Sequence, residues 1–314
     1  MVTCIKYESV HSQVWDDFIA SCKTPLFFFN RGFLEYHSDC FIDASLMFYE
    51  KDVLVAVLPA TLHNNVLNSH GGVTYGGLLL SLKIKTELLV EVLEALRDWA
   101  ISFGIVKIIY KAIPYIFQIQ PSQEDLYFLH NLLGAKLIRR DLSSVIYLQD
   151  RMKLSKGRKW LVARAKKNEL KVIVSDNWVD FHRLLSSVLV KHDTIPVHSV
   201  ADLQLLAKRF PKNIVLNAVF QGGDMIAAAL FFKFSNVVHT QYLASNDLGK
   251  DLGALDMIIE ESIQENLQDN YQYFNFGIST EQAGKVLNAG LISQKETFGA
   301  RGMCIDFYEI NFDD

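Results

Sequence analysis

Residues 245–254, Ser-Asn-Asp-Leu-Gly-Lys-Asp-Leu-Gly-Ala, follow a strand-like run and open a helix-like one. Glycines at such a junction let unsatisfied backbone N–H groups and the positive end of the helix dipole face an anion. Gly249, Lys250, Gly253 and Ala254 are therefore candidate contacts for a pyrophosphate-bearing donor. Asp247, Asp251 and Asp256 oppose such an anion, and ordinary loop chemistry is the competing reading. The preceding run, 236–244, carries His239, Gln241 and Tyr242. His239 is the better candidate base because an unperturbed imidazole titrates near neutrality, although a histidine on an apolar strand also reads as a hydrogen-bonded core residue. Strict alternation sets His239 and Gln241 on one face and Tyr242 on the other. Residues 191–198 join two helices and hold His192 and His198, either as acceptor contacts or within a plain connection.

Charge is unevenly distributed. Between residues 151 and 171 stand nine basic residues and one acid, Glu169, a net charge of +8 that leaves −12 on the remaining 293 residues. Like charges on a short helix repel. The segment reads either as a solvated face or as a docking surface for a phosphate-bearing partner, with Arg158 and Arg164 suited to forked contacts and Lys167 beside them.

These groups need a scaffold. A chain of 314 residues, half of them hydrophobic and 21% charged, can bury one or two substantial cores, which excludes a mini-protein and a disordered chain. A net charge of −4 is not that of a dedicated nucleic-acid binder. The four cysteines form no C-x-x-C pair, no metal site is expected, and the thiols read as reduced. The N-terminus has no apolar h-region, and no apolar run approaches a membrane span, so a cytoplasmic protein without a membrane span is expected. No G-x-S-x-G, H-E-x-x-H, Walker or dinucleotide-binding motif occurs.

Apolar periodicity predicts one topology twice. The first half reads as a helix from Ser12, strands 45–50, 53–62 and 73–80, a helix from Thr86, a strand 105–110, a helix 122–134 and a strand 136–148. The second reads as helices 178–190 and 199–210, strands 213–221, 225–234 and 236–244, a helix 253–267, a strand 271–276, a short helix 281–288 and a strand 303–312. The fold class is α/β, two domains of mixed, mostly antiparallel sheet, residues 1–150 and 151–314.

Hairpin, strand, helix, strand is the order of the Gcn5-related (GNAT) acyl-CoA N-acyltransferases. The basic segment with Arg158, Lys166 and Lys167, the aromatic strand ending at Gly277, and the order Gly290-Leu291, Lys295, Phe298-Gly299 make the chain resemble the FemAB-type transferases. It is most similar to their acetyltransferase-like branch of bacterial polysaccharide-synthesis loci, through the tracts 69–72, 196–199, 239–242 and 295–299.

That resemblance implies two tandem GNAT-like domains. The first is expected to be non-catalytic or acceptor-binding and the second to hold the cleft, with the last strand returning to the first. It implies transfer of an acyl group from acyl-CoA to an amine of a cell-envelope sugar or peptide precursor. The alternatives are aminoacyl-tRNA-dependent transfer, as in peptidoglycan cross-bridge synthesis, and a non-catalytic glycan- or phosphate-binding module. Lys295 matches the family lysine and would stabilise a developing oxyanion, with His239 and Tyr242 as the other catalytic candidates. Where many relatives carry Asp-Phe-Gly this chain has Asn275-Phe276-Gly277, and an amide cannot act as a general base.

Overall fold

A computed structural model describes residues 1–38 and 40–312; the side chain of His192 lies outside the described residues. The chain divides into two compact units, neither contiguous. One comprises Met1–Asp141, Glu281–Val286 and the residues from Cys304 on; the other comprises Leu142–Thr280 and Leu287–Met303.

In the first unit, β1 (Val2–Lys6), β2 (Leu46–Glu50) and β3 (Val53–Leu58) form an antiparallel sheet that the short strand Leu79–Leu80 completes. A second sheet contains β4 (Val66–Asn68) parallel to β5 (Lys107–Lys111). Helix α1 spans Ser12–Ser21, and α2, Thr86–Ser102, buries Leu89, Val92, Leu93, Leu96 and Ala100 at helical spacing. Two predicted strands are corrected. The run 53–62 breaks after Leu58 and resumes as a hairpin, Thr61–His63 with β4, turned by Asn64 and Asn65 at φ 48° and 59°. The run 73–80 is mostly loop. Helix α3 (Glu124–Asn131) follows, and β6 (Lys136–Tyr147) carries the chain from the first unit into the second.

The second unit opens with α4 (Lys156–Lys167), α5 (Trp178–Leu189) and α6 (Val200–Arg209), the last begun by a capping box between Ser199 and Asp202. Then β7 (Ile214–Gln221), β8 (Asp224–Lys233) and β9 (Val237–Ser245) form an antiparallel meander. Gly222 and Gly223 supply the positive φ of its first turn. A six-residue helix, α7 (Asp247–Leu252), leads into α8 (Ala254–Gln268). Strand β10 (Tyr273–Ile278) lies parallel to β9 and antiparallel to β6. The predicted helix at 281–288 is instead α9, Ala289–Glu296, because Asn288 caps it by accepting the Leu291 N–H at 2.9 Å, whereas Gln282 and Ala283 are at positive φ. Strand β11 (Arg301–Asn311) ends in the first unit, where it pairs antiparallel with β5.

The second core joins Ala165 of α4 and Met257, Ile258 and Ile263 of α8 to Phe231, Val238, Phe274 and Phe298. Burying each of the larger of these side chains contributes roughly 1.5–3 kcal/mol. The two strands central to the site are thereby anchored from one side.

Candidate active site

Strands β9 and β10 pair only over Val237–Tyr273, Val238–Phe274 and His239–Asn275. Beyond that pair β9 continues to Ser245 and β10 to Ile278 without mutual pairing, so the strands part as a fork. Asn275 drives the parting. Its Oδ1 accepts the Gly277 N–H at 2.8 Å and the Ser143 hydroxyl at 2.9 Å, which turns the chain out of the ladder. Gly277 at φ +73° makes that turn without strain, and the β6 register shifts between Asn275 and Ile278. A Cβ on Gly277 would lie 3.3 Å from His239 Cε1, so turn and imidazole are in contact.

His239 sits in the crotch of the fork. Its ring makes a hydrogen bond to the Asn275 backbone, while Nδ1 is buried with no hydrogen-bond partner among the described residues. Burial lowers its pKa to about 4, and the nearby Lys295 ammonium adds to this, so the ring is neutral at pH 7. A ring N–H that donates to a carbonyl leaves Nδ1 with its lone pair, able to accept a proton or an N–H.

Lys295 is 6% exposed, on the last turn of α9. Its Nζ donates to Gly277 O at 2.9 Å, Ile278 O at 2.6 Å and Ser279 Oγ at 2.9 Å. All three ammonium donors are thus engaged by the end of β10. Burial pulls its pKa from 10.5 to about 8. It brings a buried positive charge to the fork and fixes the backbone of one prong.

The other sequence candidates divide into two groups. Tyr242 shares a face with His239, a correction of the alternation argument. His239 pairs with Phe232 and Tyr242 with Leu230, because the register slips at Gln241 and this bulge restores parity. Tyr242 Oη lies 2.8 Å from His198 Nδ1 and packs near Phe181 of α5, which joins two predicted residues in one half-buried pair. Burial raises the Tyr242 pKa.

The glycine tract behaves differently from the predicted cradle. Residues 247–252 are helical, with Asn246 capping through the Gly249 N–H and Gly253 at φ +73° as the stop. A Cβ on Gly249 would meet Ile226 O at 2.2 Å, and one on Gly253 would meet Leu161 O at 2.4 Å. These glycines permit close backbone packing, and Ala254 is fully buried.

Beside this tract a cavity of about 470 Å³ is walled by Leu243 and Ser245 of β9, Leu255 and Ile259 of α8, and Leu291 and Phe298 at α9. Lys250, Lys191, Arg158 and Asp256 also line it. Arg158 is no free docking cation. It pairs with Asp256 at 2.5 Å, donates to Thr297 Oγ1 at 2.9 Å and stacks on Phe298. Arg164 lies over the Trp160 ring at 5.2 Å, and Lys167 is exposed.

The first unit has an analogous parallel pair, and its own chain fills the gap. Past Asn68, Ser69 N donates to Ile109 O, Gly76 N donates to Lys111 O, and Lys111 Nζ donates to His70 O and Val73 O. A Cβ on Gly76 would meet Ser69 O at 2.1 Å. Reading the sequence overlooked Ser143, Ser279 and Thr297, whose hydroxyls support the second fork. The one available signal was an Asn two residues before a Gly.

No family model matches the chain, and no curated protein matches it in sequence. Solved structures do match. FemX superposes with a TM-score of 0.69 at 10% identity, covering 99% of this chain and 97% of FemX. L-PGS from Bacillus licheniformis gives 0.59 at 14% identity, covering 86% and 85%. A tandem GNAT protein from the clavulanic acid biosynthesis pathway gives 0.54 at 8% identity, covering 99% and 98%. The shared feature is the fold.

Proposed function

From a chain built as two tandem GNAT-like domains on the FemX pattern, we propose an N-acyltransferase that moves an acyl group from acyl-CoA to an amine of a cell-envelope sugar or peptide precursor. The observation that carries this reading is the open fork of the second unit, with a neutral imidazole in its crotch, a buried ammonium on one prong and an apolar cavity along β9 and α8.

The donor's thioester arm would follow β9 past Leu243 and Ser245, with Lys250 and Lys191, which share the exposed Asp247 carboxylate, at the cavity to meet its phosphates. The amine nitrogen attacks the carbonyl carbon, forming the C–N bond as the C–S bond breaks. The ammonium proton passes to His239 Nδ1, and the sulfur leaves as thiolate or, on taking up that proton, as thiol. The positive charge of Lys295 stabilises the carbonyl oxygen as it becomes anionic, and the backbone it fixes keeps the prongs apart. Direct transfer in a ternary complex requires mainly positioning, so no enzyme nucleophile is invoked. His198 with Tyr242, and Lys167 on α4, are the acceptor contacts of this reading. Calorimetry with acetyl-CoA tests it: heat of binding and a raised melting temperature are expected, and the absence of both would contradict the CoA donor.

A second donor, aminoacyl-tRNA, is favoured by one observation: Gly249 and Gly253 are packed against carbonyl oxygens instead of offering a phosphate cradle. In that case a C–O ester bond breaks in place of C–S. Charged tRNA would then bind where acetyl-CoA does not, with strong salt dependence.

A further inference from the structure

The fork of the second unit holds a charge and no counter-charge. Lys295 donates to Gly277 O, Ile278 O and Ser279 Oγ, so its buried ammonium has no carboxylate partner among the described residues. Asn275, paired in register with His239, is an uncharged amide whose Oδ1 is taken by Gly277 N and Ser143 Oγ. Lys295 is also the one charged side chain that acts on the His239 ring among the described residues. A buried charge that meets only neutral dipoles leaves a positive potential around it, because the interior screens it poorly.

The cavity along β9 has the same sign. Arg158, Lys191 and Lys250 line it against one carboxylate, Asp256, which Arg158 holds at 2.5 Å. The exposed Asp247 is shared by Lys191 and Lys250 at 3.7 and 3.2 Å. Each carboxylate near the path of an incoming ammonium therefore already has a cation. His239 Nδ1, by contrast, is buried in the crotch with no hydrogen-bond partner, and a neutral imidazole nitrogen accepts one N–H.

We propose that the fork selects its acceptor by charge. The nitrogen enters unprotonated, so the acceptor is an amine of low basicity: the 2-amino group of a hexosamine or the α-amine of a peptide. The alkyl ε-amine of a lysine is disfavoured. This selection rests on the acyl-transfer reading. The amine donates one N–H to His239 Nδ1, which directs the nitrogen lone pair at the donor carbonyl. After the C–N bond forms, that proton passes to Nδ1 and on to the departing sulfur or, for an aminoacyl ester, oxygen. An ammonium has no lone pair to direct and would lie beside Lys295. His239 cannot deprotonate it beforehand, since burial and the Lys295 charge hold the ring's pKa at about 4, far below that of an alkyl ammonium. At pH 7 an amine with a pKa of about 8 has a neutral fraction roughly 200-fold larger than one near 10.4. The hydroxyls and ring oxygen of a hexosamine withdraw electrons and put its amine in the first class.

The test is acyl transfer by the full chain to glucosamine, glycylglycine and Nα-acetyllysine between pH 6 and 8, with acetyl-CoA and with an aminoacylated tRNA as donors in separate reactions. At pH 7, kcat/KM for glucosamine or glycylglycine should exceed that for Nα-acetyllysine at least about ten-fold, the excess of neutral amine being reduced by the weaker nucleophilicity of the less basic nitrogen. The larger of the first two values identifies the acceptor as a sugar or a peptide terminus. For Nα-acetyllysine the value should rise about ten-fold per pH unit, following its neutral fraction, and at pH 6 an excess of it should not inhibit transfer to glucosamine. Asn275→Asp places a carboxylate beside His239 and should shrink the preference at least about three-fold. A smaller preference in the parent protein, or inhibition by Nα-acetyllysine at pH 6, overturns the proposal and leaves acyl transfer standing. An unchanged preference in Asn275→Asp with an unchanged melting temperature also overturns it. Amide formed from neither donor with any of the three amines overturns the acyl-transfer reading and this selection with it.

Discussion

The two ionisable side chains of the fork titrate in different pH windows, and this separates their roles. Lys295 holds its proton less tightly in the fold, at about 8, than at its ordinary 10.5. The unfolded chain therefore binds more protons between those values, and this group's contribution to stability rises as pH rises through them; Lys111, also at about 8, acts in the same sense. Activity should do the reverse, falling above pH 8 as the ammonium is lost. Lys295→Met should lower turnover at least about ten-fold, the scale of one lost electrostatic contact, and abolish that alkaline limb. A flat pH profile in the parent protein would remove the charge from the mechanism. His239 gives an acid-side signature. With a folded pKa of about 4 against 6.5, it contributes stability that is complete above 6.5 and lost as pH falls toward 4. His70, also lowered to about 4 by burial, shares the effect. The unfolding free energy from urea titrations should thus fall on acidification, by up to about 1.4 kcal/mol per pH unit for each histidine, and His239→Asn should remove part of that slope. His239 was legible in the sequence as a polar side chain on an apolar strand, and Lys295 only through its place in the Gly-Leu, Lys, Phe-Gly order of the family that the chain resembles. Asn275 looked like a defective base, and only its bonds to Gly277 N and Ser143 Oγ show that it shapes the fork.

Elements were legible where one periodicity ran unbroken, as in α2, α5 and the strands β7 to β9. They were missed where a single residue changes the geometry. The bulge at Gln241 leaves the alternating pattern intact while reversing which face Tyr242 occupies. Residues 247–252 are too short for periodicity to register, although Asn246 and Gly253 are the cap and stop of a helix. Two glycines test this packing account. Gly253→Ala combines φ +73° with a carbonyl oxygen 2.4 Å from the new Cβ. It should cost roughly 2–4 kcal/mol in thermal or urea unfolding. Gly223→Ala, at φ +93° but with open space around it, should cost only about 1–2 kcal/mol. Equal losses at the two sites would mean that backbone conformation alone, and not the approach of α4 to Gly253, explains the glycine.

At the scale of the molecule, the repeated order of hairpin, strand, helix and strand was visible because it rests on the sequence of periodicities and not on any boundary. The second domain was expected to hold the cleft, but what distinguishes the two forks physically was not legible. That depends on whether the chain after the first parallel strand folds back into the gap, and Lys111 secures such a fold in one unit while β10 swings clear in the other. No helix of the described residues is long and apolar enough to cross a membrane. The central claim is that the donor's carbonyl is delivered between β9 and β10. Hydrogen exchange of the full chain, with acetyl-CoA and with an aminoacylated tRNA each compared against the free protein, locates that delivery. The account predicts slowed exchange over 240–245 and 254–259 with one of the two donors; slowing confined to 66–80 and 107–111, or none with either donor, would contradict it.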